Sequence, residues 1–184
     1  MLFNSFEFVF AFLPIVFMIY FLLTNNRLVV LSKIWLVVSS LFFYAWWNVA
    51  YLPLILISLL FNYLVGSILG QKLTKMIRKF TLIIGIVVNV ALLAYFKYTD
   101  FFINNVNALF STNLPLLKLA LPLAISFFTF QQIAYLVDAY KKETTDYNFL
   151  NYALFVTFFP QLIAGPIVHH RVDYISILYL PVIL

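Results

Sequence analysis

Two adjacent primary amides, Gln131 and Gln132, sit inside the apolar run LALPLAISFFTFQQIAYLVDAY, and a third, Gln161, follows Pro160 in FVTFFPQLIAGPIVHH. A polar side chain in an apolar layer must be satisfied by other protein groups or by cavity water, because hydrocarbon offers no partner. At helical spacing Ser126, Thr129 and Gln132 form one stripe roughly 120° wide, while Gln131 points well away. Asp138 lies on the Gln131 side one heptad later. A helix polar on two sides belongs in the middle of a bundle, or it walls an aqueous path. Both readings stand at this point.

The second stretch breaks the rules of a membrane helix. Pro160 removes an amide donor and crowds the preceding turn, and Gly165-Pro166 interrupts the run again. Non-helical backbone at such depth is tolerated where it is buried in protein or lines a cavity. A broken or re-entrant segment is therefore predicted over 149–168. Gln161 would face the path, with Gly165 and Pro166 shaping the backbone; the alternative is a proline kink that only shapes packing. His169 and His170 are the only histidines. Neighbouring side chains on a helix diverge by about 100°, so the pair is a poor chelate and reads as interfacial. No metal site is predicted. Further polar residues, Ser58, Asn62 and Asn89, together with the Gly66-xxx-Gly70 spacing, read as helix–helix packing.

The elements that must position these groups follow from composition. Of 184 residues, 65% are hydrophobic and 9% charged, against about 25% charged in soluble domains. The chain is all-α and membrane-embedded. It has no cysteine, which excludes disulfides, thiol nucleophiles and Cys-based metal sites. The net charge of +5 comes from a few basic residues between apolar segments, a topology signal that does not point to nucleic acid. No GxSxG, Walker, HExxH or GxGxxG pattern is present.

A span needs about 20 apolar residues. Segments 6–24, 80–96 and 119–137 fit one span each, and the uncharged run from Ile34 to Gly70 divides at a hairpin within 44–53 into spans 33–48 and 53–70. With the segment at 149–168 this makes about five full spans and one broken one, in a single membrane domain over residues 1–184. Eight of the 11 basic residues lie in the connections 25–33, 71–79 and 138–148. By the positive-inside rule those face the cytoplasm, and the N-terminus lies outside. The start of the chain lacks a basic n-region and a small-x-small cleavage pattern, so it reads as a retained first span. The connection 97–118 would lie in the interface as an amphipathic piece, with Lys97 and Asp100 paired on one face.

Four stretches together resemble a known family: MLFNSFEFVFAFLPIVFMIYFLL, SSLFFYAWW, LPLAISFFTFQQIAYLVDAYKKE and NFLNYALFVTFFPQLIAGPIV. They look like the membrane-bound O-acyltransferases, in the branch that O-acetylates alginate and peptidoglycan. The resemblance runs from Met1 to about His170, and PLxISFFTFQ followed by FFPQLxAGPI is its most specific part. It implies transfer of an acyl group, usually acetyl, from a cytoplasmic thioester donor such as acyl-CoA to a polysaccharide hydroxyl outside. It also implies that the protein lies in the bacterial inner membrane, and a secreted or periplasmic partner acetyltransferase often takes part. Ser126, Thr129, Gln131, Gln132, Gln161, Gly165 and Pro166 would line the acyl path, with no cofactor held. Family members run to over twice this length and carry a reaction-centre histidine in a later Trp-His-Gly segment, which these 184 residues lack. Residues 171–184 are unlike the family's continuation. The expectation is an N-terminal portion with no catalytic residue of its own, inactive alone. A small transporter and a non-catalytic membrane subunit are the rival readings.

Overall fold

The structure is a computed structural model that describes residues 5–142 and 148–160. Gln161, Gly165, Pro166, His169, His170 and the tail 171–184 lie outside the described residues. The described elements are helical throughout: α1 (Leu13–Asn25), α2 (Val29–Trp47), α3 (Leu52–Gly70), α4 (Lys75–Phe110), α5 (Ile125–Lys141) and α6 (Phe149–Thr157). Among the described residues, four helical stretches are long and apolar enough to cross a membrane.

A π-helical turn, Phe8–Phe12, leads into α1. Pro14 cannot donate to the carbonyl four residues back, and the chain upstream winds at five-residue spacing, with the Leu13 N–H on the Phe8 carbonyl. The hairpin between α2 and α3 falls where the aromatic run predicts it. The Asn48 side chain accepts from the Ala50 N–H at 2.9 Å, and Pro53 takes the first turn of α3, where a missing donor does no harm.

Two predicted boundaries are corrected. The connection between the fourth and fifth spans starts at Ser111 and not at 97. Residues 97–110 contain neither Gly nor Pro and continue α4 as one helix of 36 residues, about 54 Å long. The chain turns at Ser111 in left-handed geometry (φ 49°) and returns without helix through Pro115 and Pro122. Asp100 does not pair with Lys97; its carboxylate accepts the N–H groups of Leu117 (2.9 Å) and Lys118 (3.0 Å) and ties the returning chain to α4. Asn107 also ties the return: its Oδ1 accepts from the Leu114 N–H and the Thr112 hydroxyl, and its Nδ2 donates to the Leu114 carbonyl. The fifth helix consequently starts at Ile125 and not near 119, because Pro122 and the left-handed Ala124 (φ 55°) bar helix before it.

Helices α3, α4 and α5 pack together, α1 packs on α2, and α6 joins the two groups by touching α2, α3 and α5. Every residue from Asn151 to Thr157 is buried, so α6 is walled by protein along that length. At nine residues, about 14 Å, it is under half of a roughly 30 Å hydrocarbon layer. Phe158 leaves the helix (φ −53°, ψ 108°), and helical geometry resumes at Phe159 and Pro160. Phe159 enters a cage of Phe8, Phe12 and Phe43, with ring centroids 5.3–6.0 Å apart. Its N–H donates to Ser40 Oγ at 3.3 Å. The break in the sixth segment is thus seated by packing.

Lys33 Nζ donates to Asn151 Oδ1 at 2.9 Å, and the Arg78 guanidinium donates to the Tyr140 carbonyl. These contacts put the three basic connections at one end of the bundle. Tyr51 donates to the Ala120 carbonyl and packs on Phe96 at the other end. Because the chain has no cysteine, single-cysteine variants report this arrangement cleanly. Lys75→Cys and Lys141→Cys are expected to react with an impermeant maleimide from one side of oriented membranes, and Asn113→Cys from the other. Labelling of positions 75 and 113 from the same side would overturn the arrangement.

Candidate functional site

The site is built from three helices. On α3, Ser58, Asn62 and Gly66 recur every four residues and share a face; on α4, Gly85 and Asn89 do the same. The glycines allow close approach. A Cβ at Gly66 would fall 2.3–2.6 Å from the Tyr135 ring of α5, and one at Gly85 would fall 2.7 Å from Leu136 Cδ1. With the backbones this near, side chains reach across. Asn62 and Asn89 exchange amide bonds, Nδ2 to Oδ1, at 3.1 and 2.6 Å. Asn62 Nδ2 also reaches Gln132 Oε1 at 2.7 Å, which accepts from Ser58 Oγ at 2.7 Å as well. Two backbone carbonyls anchor the network, Ser58 O to Asn62 Nδ2 (2.9 Å) and Gly85 O to Asn89 Nδ2 (2.8 Å).

The helix-packing reading of Ser58, Asn62 and Asn89 holds, and the structure adds what spacing does not show: the packing amides hold Gln132. Gly85 was not singled out in the sequence; its signal is the four-residue step to Asn89. Of the predicted stripe, Thr129 and Gln132 are fully buried while Ser126 is partly exposed. Gln131 is also fully buried. Among the described residues, neither its Nε2 nor its Oε1 makes a hydrogen bond, and the same is true of Gln132 Nε2 and Thr129 Oγ1. Unbonded buried groups of this kind cost about 1–3 kcal/mol each, and native interiors hold only a few per 100 residues. Three such residues fall within four positions of α5, while the Ser39, Tyr44 and Tyr152 hydroxyls on other helices are likewise buried without a bond among the described residues. Around it stand further aromatics, with Tyr135 and Tyr152 at 4.3 Å between ring centroids and Tyr63 against Tyr152 at 5.8 Å.

A separate lateral groove of about 410 Å³ opens between α1 and α2, lined by Phe12, Ile15, Val16, Trp35, Val38 and Phe42, with Ser39 beside them. Its lining carries no titratable group, and it stands apart from the amide network.

Fold and site together define a multi-pass helical membrane protein with a buried, amide-lined centre. The relatives say which kind. Over 92% of its length the chain is 48% identical to the peptidoglycan O-acetyltransferase of Helicobacter pylori, covering 37% of that protein. It is 35% identical over 93% of its length to the probable alginate O-acetylase AlgI of Pseudomonas aeruginosa, covering 33% of it, and 36% identical to that of Pseudomonas putida. The chain thus spans about a third of the length of the curated relatives it matches. No family model and no solved structure matches it. The chain belongs to the membrane-bound O-acyltransferase family, in the branch of the alginate and peptidoglycan O-acetylating proteins, as a portion of such a protein.

Proposed function

We propose that this chain forms part of the acyl path of an O-acetyltransferase. The whole protein moves an acetyl group from a cytoplasmic thioester donor of the acyl-CoA class to a hydroxyl of an extracytoplasmic cell-envelope polysaccharide. The basic end of the bundle faces the cytoplasm of a bacterial inner membrane, and the N-terminus lies outside. A secreted or periplasmic acetyltransferase is the expected partner. Ser126, Thr129, Gln131 and Gln132 line the path, continued by Gln161, Gly165 and Pro166. The observation that carries this reading is Gln131, a fully buried amide with no hydrogen bond among the described residues, on a helix packed against α3, α4 and α6 in a chain of this family. A neutral acyl group passes between amides of this kind where a charged carrier would not.

The test grafts residues 1–160 in place of the matching segment of the Helicobacter pylori relative, in cells lacking their own enzyme. O-acetyl groups released from peptidoglycan are then measured. The graft is expected to restore acetylation, while the 184-residue chain alone transfers nothing from acetyl-CoA. Gln131→Leu in the graft is expected to lower transfer about tenfold, even as removal of an unbonded amide raises stability by about 1–2 kcal/mol. A graft that accumulates in the membrane without acetylating removes the acyl-transfer reading. Unchanged transfer by Gln131→Leu removes that residue from the path.

A further inference from the structure

Gln132 differs from Gln131 in one respect: its orientation is decided. The decision starts at two backbone carbonyls, which accept and never donate. Gly85 O faces Asn89 Nδ2 and Ser58 O faces Asn62 Nδ2, so the NH₂ end of each asparagine is identified by its partner. The NH₂ of Asn62 then faces the Gln132 amide at 2.7 Å, and the Ser58 hydroxyl, also 2.7 Å away, points to the same atom. Turning the Gln132 amide over would set NH₂ against NH₂ at 2.7 Å, two donors facing each other, and only the Ser58 hydroxyl could then accept. Its oxygen therefore lies on α3 and its Nε2 points away. That Nε2 is fully buried and makes no hydrogen bond among the described residues.

From this we infer that Gln132 Nε2 is the acyl-binding donor of the path, taking the carbonyl oxygen of the acyl group. The inference rests on the acyl-transfer reading above. A group that meets this N–H must accept without requiring an acceptor in return, and it must be neutral to enter so buried a position. The carbonyl oxygen of a small thioester or ester meets both conditions, whereas an ammonium group meets neither. Ser58, Asn62 and Asn89 are positioning residues, whose bonds keep the NH₂ turned toward the path. No bond is made or broken at Gln132, which keeps its protons throughout.

Kinetics are read on the graft described above, and the carbonyl stretch of isotope-labelled acetyl-CoA is read by infrared difference spectroscopy on the same protein. Gln132→Met keeps the length of the side chain and removes the donor. It is expected to lower kcat/KM about tenfold, the worth of one neutral hydrogen bond, with the loss carried by KM. It is also expected to move the bound carbonyl band to higher frequency. Ser58→Ala is expected to shift both readouts in the same direction by less, and Ser58→Thr, which keeps the hydroxyl, to restore them. Should Gln132→Met not fold, the Ser58 pair decides by itself. If these variants lower thermal stability but leave KM and the band unchanged, the network is structural only and the inference is overturned. If the unmodified graft transfers nothing, the acyl-transfer reading fails first, and the two failures are told apart.

Discussion

Gly66→Val will destabilise the bundle by about 3 kcal/mol, near the upper end for overpacking in a close-packed interior. Even a lone Cβ at this position meets Tyr135 Cε1 at 2.3 Å, Oη at 2.5 Å and Cζ at 2.6 Å. Real Cβ contacts are never so short, so either the ring or α3 must move. The ring has little room. Tyr135 is fully buried, and the Tyr152 ring lies 4.3 Å away, centroid to centroid, itself 1% exposed. Gly66→Ala meets the same ring but gains about 1 kcal/mol of helix propensity, so its net effect is smaller. Tyr135→Phe will not relieve the valine, because two of the three obstructing atoms belong to the ring. Tyr135→Leu will relieve it in part. Steric-trap unfolding in bilayers measures each variant, and equal stability of Gly66→Val and the parent would show that α3 and α5 do not sit this close.

Asn62→Leu will cost about 2 kcal/mol. Asn62 makes three contacts of hydrogen-bond length to other helices, two with Asn89 and one with Gln132. Its two N–H protons are shared among Asn89 Oδ1, Gln132 Oε1 and the Ser58 carbonyl, and interhelical bonds in membranes average about 0.6 kcal/mol each. The substitution strips Asn89 Oδ1 of its donor and leaves Gln132 Oε1 with Ser58 alone. Asn89→Leu added to it will then be cheaper than Asn89→Leu alone, since the amide being removed has already lost its partner. A double-mutant cycle reads this directly: the two effects should sum to more than the double variant shows. Strict additivity would mean that the two asparagines do not interact.

These two residues also show how differently sequence and structure speak. Gly66 and Asn62 were legible as packing residues, since small and amide side chains on a span have few other uses. Their partners were not, because a four-residue period on α3 says which face is polar and nothing about which helix meets that face. The assignment of Asp100 failed for a related reason. Its nearest cation on the helix is three residues away, but the competing donors, the N–H groups of Leu117 and Lys118, arrive from 17 and 18 residues along the chain. The end of the fourth span was misplaced because a drop in hydropathy after Phe96 reads as a loop, whereas helix continues as long as no residue forbids it. The start of the fifth shows the converse: Pro122 lies inside an apolar run, and backbone sterics stopped the helix where hydropathy did not.

By itself the sequence determined that this chain is helical and membrane-embedded, that it turns near Asn48, that its basic connections alternate, and that its sixth segment is broken. Each of these follows from local quantities: hydropathy over one helix length, the charge of a short loop, or the backbone chemistry of proline. Only the tertiary structure decided that the short α6 lies between the two helix groups, and that Gln132 is held by α3 while its neighbour Gln131 makes no hydrogen bond among the described residues. Two adjacent amides are chemically the same. What separates them is a turn of about 100° around one helix axis, which points Gln132 toward two hydrogen-bond donors and Gln131 away from them.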